Sequence, residues 1–388
     1  MADLLASHDE GDGVLAILAP GQGAQREGFL TDWLTLDGFA DRLAALEAAA
    51  GVDLVTAGTI MTDAQISDTA IAQPLIVGAG LATLGELSAD PATAYAGHSV
   101  GEFTAAAAAG VVDEQSAMRL IAVRGAAMAA ASAAASSGMA AVLGGEESDV
   151  LAAITAAGCV AANFNGAGQI VAAGRQEALD RLVANPPPGA RIRPLAVAGA
   201  FHSDLMAPAR DALHAAAGTV DTTDTAGGVV SNRDGQLLTS GLEILGRLVD
   251  QVCLPVRWDA CLRTLASLGV TAVIELPPAG TLTALVRRAL PGVETLALRG
   301  PEDLGAAREL VALHSTQPTS GSPDWRLLVA PEKGTVRLTD AGNALLHLAT
   351  RDAELAVCLD GDADLLELLV QDGDPVTAGQ PLARVTAP

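Results

Sequence analysis

The chain has 388 residues, of which half are hydrophobic but only 2% aromatic, so alanine, leucine and valine must supply most of the core, and at roughly 150 residues per domain the length predicts two or three domains. Lysine and arginine total 22 against 46 aspartates and glutamates, and the resulting formal charge of −24 repels phosphate backbones and excludes nucleic acid as a partner. No uninterrupted apolar run reaches the roughly 18 residues of a membrane span, and four scattered cysteines (Cys159, Cys253, Cys261, Cys358) exclude a disulfide framework or a zinc site and read as buried thiols of a reducing cytosol.

Residues 1–13 hold four acidic residues and no lysine or arginine, which predicts a disordered leader rather than a signal peptide. Val14–Ala19 is an apolar run ending at Pro20-Gly21, a buried strand entering a glycine turn. Helices are expected over 31–50 and 71–88, a strand over Thr93–Ala96, and a helix from Val100 to Ala109. Strands alternating with helices predict an α/β core around a parallel sheet. From residue 139 the order becomes strand (139–143), helix (148–157), strand (160–165), strand (169–173), helix (176–183) and strand (191–197). This is the split βαβ pattern, so a ferredoxin-like subdomain is expected at 134–200, inserted into a core spanning 14–133 and 201–314. Late strands are expected at Val229–Ser231 and Ala272–Leu276, and late helices at Leu242–Gln251 and Trp258–Leu268. A polar linker is expected at 315–324, and turn signals between short alternating runs predict an all-β tail at 325–388.

Gly97-His98-Ser99-Val100-Gly101 is a G-x-S-x-G element between an expected strand and an expected helix. In that setting the two glycines allow a sharp turn that lifts Ser99 Oγ above the sheet, and the amide of Val100 at the helix start can meet an oxyanion. A helix-capping serine is the plain alternative. A serine hydroxyl needs a base. Of six histidines, His8 lies in the leader, His314 and His347 lie at or beyond the linker, His214 sits on a helix, and His98 should point away from its neighbour's hydroxyl. His202, at the end of an expected strand, is the remaining partner. The glycines of Pro20–Gln25 can bring backbone amides close to a ligand, but neither a dinucleotide nor a P-loop fingerprint is present.

Six segments resemble one family in order and spacing: PGQGAQ at 20–25, GHSVGE at 97–102, Arg124-Gly125, Asn163–Asn165 with 169–171, GAFHS at 199–203 and QVCLPVRW at 251–258. The family is the malonyl-CoA:acyl-carrier-protein transacylases, in an actinobacterial flavour, and the resemblance covers about residues 14–310. It implies an α/β-hydrolase-like core and transfer of malonyl from coenzyme A to Ser99 and on to the phosphopantetheine thiol of an acyl carrier protein. His202 would be the base and the backbone carbonyl of Gln251 its orienting acceptor. The amides of Gln22 and Val100 would form the oxyanion hole. Arg124 would grip the malonyl carboxylate with its planar fork. Met128, one turn further along the helix, would line the acyl pocket or simply pack in the core. Phe201 would disfavour an α-methyl branch, and Asn163 and Asn165 would bridge the subdomain to the site. No metal or redox cofactor is implied, and the expected location is the cytoplasm. Glu275–Gly280 departs from the family's usual Gly-Pro pair. The acidic chain also needs a basic patch for an acidic carrier, for which Arg119, Arg191 and Arg193 are the candidates.

The tail resembles a degenerate lipoyl/biotinyl-like or, better, glucose-type IIA phosphocarrier domain through LVAPEKGTV at 328–336 and VQDGDPVTAGQPLARV at 370–385. Lys333, the only lysine, lies outside the modification hairpin, and Asn343 and Cys358 stand where two histidines would face each other; His347 is a poor substitute. The tail is therefore expected to pack on the enzyme, bind a protein partner or another copy of the chain, or add stability. Two other functions remain open on the residues alone: a serine esterase or thioesterase with the same elbow, which has no need of a buried cation at Arg124, and a non-enzymatic scaffold.

Overall fold

The computed structural model describes residues 14–87, 94–197 and 199–314, and in the tail 325–330, 333–338, 344–350, 353–358, 365–368, 370–376 and 381–386. The expected leader and linker lie outside the described residues, as does Asn343.

The chain divides into two units, one of 1–265 with 270–315, the other of 316–388 with 266–269. The first unit is built on a six-stranded sheet. Its strands are β1 (Leu15–Ala19), β2 (Ala94–Gly97), a hairpin of β7 (Val229–Val230) and β8 (Leu237–Leu238), β9 (Ala272–Glu275) and β10 (Glu294–Ala297), in the order β10-β9-β1-β2-β7-β8. Every pairing is parallel except β7 with β8. β1 and β9 are buried along their whole length, as a central parallel strand covered on both faces must be. Over 31–50 the chain departs from the expected single helix: a 3₁₀ turn at Trp33–Thr35 is followed by α1 (Phe39–Ala50), because Gly38 stands in the left-handed region at φ 80° and breaks the run. α2 (Thr69–Glu86) starts where the Asp68 carboxylate accepts from the Ala70 amide. It is followed by α3 (Gly101–Ala108) and α4 (Glu114–Ala133), the latter capped by Asp113.

Between α4 and residue 199 the chain forms β3 (Ser137–Gly144), α5 (Glu147–Ala156), β4 (Val160–Gly166), β5 (Gln169–Arg175), α6 (Gln176–Ala184) and β6 (Ala190–Pro194). The four strands make one antiparallel sheet in the order β4-β5-β3-β6, the ferredoxin-like arrangement. Ala140, Val142, Ile154, Ile170, Leu179 and Leu182 give this subdomain a core separate from the main one. Beyond it, α7 (Ala207–Ala217), α8 (Gly241–Asp250), α9 (Trp258–Ser267), α10 (Thr281–Ala289) and α11 (Leu304–His314) complete the layers around the parallel sheet.

The second unit is antiparallel β throughout its described strands. One sheet contains β11 (Trp325–Val329), β17 (Pro381–Thr386) and β15 (Leu365–Leu368). The other contains β14 (Glu354–Cys358), β13 (Ala344–Ala349), β12 (Gly334–Leu338) and β16 (Pro375–Val376). Val336, Leu346, Leu348, Val357, Val376 and Leu382 form its own small core.

The parallel register sets Ala19 beside Gly97, so the turn after β1 and the turn after β2 leave the sheet at one level. The second turn is the elbow. A Cβ on Gly97 would lie 2.0 Å from the backbone carbon of Gly101, and one on Gly101 would lie 2.2 Å from the carbonyl oxygen of Ala19. Both positions must therefore lack a side chain, for steric reasons. Gly101→Ala is expected to destabilise the fold by about 1–3 kcal/mol in denaturant titration. Gly246→Ala, on α8 where a Cβ meets nothing within 4 Å, should be neutral or stabilising by up to about 1 kcal/mol.

Candidate active site

The elbow holds Ser99 at φ 53°, a left-handed conformation that costs energy for any residue with a side chain. Asn232, just beyond β7, clamps that conformation: its Oδ1 accepts from the Ser99 amide at 2.8 Å and its Nδ2 donates to the Gly97 carbonyl at 2.7 Å. Ser99 Oγ lies 2.7 Å from Nε2 of His202. His202 sits at φ 58° on the loop by which the chain returns from the subdomain, and its Nδ1 is 2.9 Å from the Gln251 carbonyl and 3.1 Å from that of Leu254. Both are backbone acceptors, so Nδ1 carries the proton and Nε2 presents its lone pair to the serine. Burial, reinforced by the charge of Arg124, holds the His202 imidazole down at about 3, which keeps it neutral with the Nε2 lone pair free.

Arg124, on α4, is completely buried. Its Nη1 donates to Gln73 Oε1 at 2.7 Å and its Nη2 to Gln251 Oε1 at 2.9 Å, with Ser99 Oγ at 3.4 Å. Its carbon end lies 5.9 Å from the centre of the Phe103 ring. Among the described residues no carboxylate stands within ion-pair distance of it, and its Nε has no hydrogen-bond partner. The acid facing it across Gln251 is Glu102, also buried, whose Oε1 accepts from the Asn232 amide at 2.6 Å and whose Oε2 accepts from Gln251 Nε2. Burial lifts the Glu102 carboxyl well above the usual carboxylate range, against the pull of the Asn232 amide and Arg124, and it lowers Arg124.

A cavity of about 90 Å³ opens beside Ser99, lined by Gln22, Val100, Met128, Asn163, Phe201 and His202 with Gln73, His98 and Leu195; Arg124 is not among the lining residues and lies behind Gln73 and Ser99, which are. Met128 is thus both core and wall: it is 1% exposed, and its sulfur receives Gln73 Nε2 at 3.4 Å. Asn165 lies outside the cavity and binds His98, with Oδ1 2.9 Å from Nε2. His98 turns its ring toward Trp258 and away from the serine hydroxyl, as its place in the elbow predicts. Asn163 joins the subdomain to the core through its backbone, bridging Val256, while Phe164 donates to the Val256 carbonyl at 2.8 Å. Arg119, Arg191 and Arg193 are exposed. Of the cysteines, Cys159 and Cys261 are buried as expected but Cys253 is only half-buried, because it follows the end of α8 near the surface.

Sequence reasoning assigned no role to Gln73, Glu102 or Asn232. Gln73 is the one amide in an otherwise apolar and nearly fully buried α2, and Glu102 is the only carboxylate on the Ala-rich α3. Each is a polar residue where burial is expensive without a partner, which is the signal that marks them. Asn232 carries no such signal, since its segment reads as an ordinary turn.

The described residues contain no helix long and apolar enough to cross a membrane. Residues 17–321 match the family described as acyl transferase domain. The malonyl CoA-acyl carrier protein transacylase of Mycobacterium tuberculosis is 49% identical over 296 residues, which are 75% of this chain and 98% of the relative. The enzyme of the same name from Escherichia coli K12 is 33% identical over 305 residues, 76% of this chain and 99% of the relative. Among solved structures, MCAT from M. tuberculosis superposes with a TM-score of 0.74 at 48% identity, covering 76% of this chain and 99% of that one. A type II polyketide acyl-carrier protein in complex with its malonyl-transacylase contains a chain that matches with a TM-score of 0.72 at 29% identity, covering 76% and 99%. By the match over 17–321 and the identity across almost the whole length of these relatives, the chain belongs to the acyl transferase family and, within it, to the malonyl-CoA–acyl carrier protein transacylases.

Proposed function

We propose that this chain moves malonyl from malonyl-CoA to Ser99 and from Ser99 to the phosphopantetheine thiol of an acyl carrier protein, supplying fatty-acid biosynthesis. The observation that carries the reading is Arg124: a fully buried cation 3.4 Å from the nucleophile, held by two neutral amides and by no direct carboxylate. A buried charge of that kind is costly unless an anion completes it, and malonyl brings one.

His202 Nε2 takes the Ser99 proton as Oγ bonds to the thioester carbonyl carbon. The amides of Gln22 and Val100, which border the cavity, are assigned to the oxyanion, each worth roughly 10²–10³ in rate. Collapse breaks the carbon–sulfur bond, and the proton on Nε2 passes to the departing coenzyme A thiolate. The carrier thiol then repeats the sequence in reverse, giving its proton to His202, attacking the Ser99 ester and restoring the serine hydroxyl. The imidazolium formed in each half is stabilised by the carbonyls of Gln251 and Leu254 rather than by a carboxylate. Met128 and Phe201 are assigned to the wall around the malonyl methylene, and Asn163 to the subdomain side of the same pocket. Asn165 is assigned to fixing His98. These groups complete the chemistry without a metal or redox cofactor.

We place the enzyme in the cytoplasm and assign 14–133 with 201–314 to the core and 134–200 to the subdomain. We read the tail as a degenerate IIA- or biotinyl-like module that binds a protein partner or a second copy of the chain.

Intact mass tests the central proposal. The wild type should gain one malonyl on mixing with malonyl-CoA and lose it to holo carrier, and Ser99→Ala should gain none; loss of the adduct in buffer alone would identify a hydrolase. Arg124→Ala should lose about a hundredfold in kcat/KM for malonyl-CoA, about 3 kcal/mol, and little for acetyl-CoA. Protonated imidazole cannot accept the serine proton, and with His202 held at about 3 the base form persists in mild acid. The kcat/KM profile should therefore stay level from pH 7 to about 5, whereas a tenfold fall per pH unit below about 6.5 would mark an ordinary histidine. Removal of 316–388 should leave carrier malonylation intact in a steady-state assay, while loss of self-association or partner capture on the same deletion would assign the tail its role.

A further inference from the structure

Five polar side chains, Gln73, Glu102, Arg124, Asn232 and Gln251, cluster beside the nucleophile, and of these only Gln73 lines the cavity. The Gln251 side-chain amide is the junction between them. Its Oε1 accepts from Arg124 Nη2 at 2.9 Å, while its Nε2 faces Glu102 Oε2, the Ser99 carbonyl at 3.1 Å and Asn232 Oδ1 at 3.4 Å. Glu102 is 4% exposed and does not line the cavity, and its two oxygens are taken up by the Asn232 amide and Gln251 Nε2. The transfer of malonyl through Ser99 makes no use of the Glu102 carboxyl group.

An amide has a donor end and an acceptor end, and rotating it by half a turn exchanges them. Turned over, Gln251 would present its NH₂ to the Arg124 guanidinium, donor against donor, and its carbonyl to a carboxylate. The arginine would then lose one of the two acceptors that aim it, keeping only Gln73 Oε1. A carboxyl group suits the Glu102 position because both of its oxygens meet donors, the Asn232 amide on one and Gln251 Nε2 on the other, and against the burial that disfavours the ionised form the Asn232 amide favours it. A glutamine there would offer one oxygen and one NH₂, so it must oppose either the Asn232 amide or Gln251 with a donor.

We propose that Glu102 is a positioning residue for recognition of the substrate's carboxylate: by accepting from Gln251 it fixes which way round that amide stands, and the amide in turn holds Arg124 in line for an anionic acyl group. The inference rests on the reading of Arg124 as the partner of the malonyl carboxylate. It predicts that Glu102 acts on which donor is chosen, through KM for the anionic donor, rather than on the acylation of Ser99 as such. The Gln251 backbone carbonyl, which orients His202, is a separate function of the same residue, so the side chain can be changed without removing that acceptor.

The test measures kcat and KM for malonyl-CoA and acetyl-CoA with the full chain and a holo carrier, in the wild type, Glu102→Gln and Gln251→Met. The wild type should prefer malonyl-CoA; if it does not, the reading of Arg124 fails before that of Glu102 is tested. Given that preference, Glu102→Gln should lower the malonyl-to-acetyl ratio of kcat/KM by about tenfold or more, chiefly through KM for malonyl-CoA. Gln251→Met, which also removes the donor to the Ser99 carbonyl, should lower the same ratio on top of a loss shared by both donors. In an Arg124→Ala background Glu102→Gln should leave the ratio where Arg124→Ala has put it. Equal losses on both donors with the ratio held, or an unchanged ratio, would overturn the proposal and leave Glu102 a support of the elbow alone. If Glu102→Gln does not fold, Gln251→Met decides: a retained ratio overturns the relay and a lowered one supports it.

Discussion

The structure is organised around the cost of burying one guanidinium. Arg124 is fully buried in the first unit with no carboxylate among the described residues within ion-pair distance, and neighbouring polar groups make that tolerable. Gln73 and Gln251 supply neutral acceptors, Phe103 supplies a ring face, and Glu102 supplies an acceptor one amide away. A carboxylate placed directly on the arginine would satisfy it and leave nothing for a substrate. Placing the acid behind Gln251 keeps the cation in place while leaving its remaining capacity for an incoming anion.

The same network supports the nucleophile. Ser99 occupies a backbone conformation that the surrounding contacts must enforce, and they do so on both sides: Asn232 grips its amide and the Gly97 carbonyl, and Gln251 grips its own carbonyl. Gln251 also presents its backbone carbonyl to His202. One residue therefore ties together the elbow, the base and the cation, and it does so with main chain for one and side chain for the others. The subdomain is joined to this centre by the strand pairing at Val256, five residues beyond Gln251, and its residues Met139, Asn163 and Val171 complete the cavity wall.

Much of this was legible in the chain. Short apolar runs followed by glycine turns located β1, β2 and the elbow, because buried parallel strands must be apolar and sharp turns must be small. The alternation from 139 onward located the ferredoxin-like sheet, since period-two patterning and helical patterning differ over even a few residues. Where an element was misread, over 31–50, the apolar pattern was helical enough but a single left-handed glycine decided the break, and composition does not reveal φ. Short β8 and β10 were missed because two to four residues carry too little periodicity to be distinguished from loop.

The sequence by itself determined the chemistry on offer: a serine on a glycine elbow, one histidine free to serve it, and an arginine with a methionine one turn beyond it on a helix. Those are local facts, set by the identity and spacing of neighbouring residues. Only the tertiary structure decided that Gln73, Glu102, Asn232 and Gln251, drawn from four distant segments, meet around Arg124 and Ser99. Hydrogen bonds act over about 3 Å while these residues are separated by up to some 180 positions in the chain, so no spacing rule can pair them. The packing of the strands and helices fixes the distances, and with them which donor faces which acceptor.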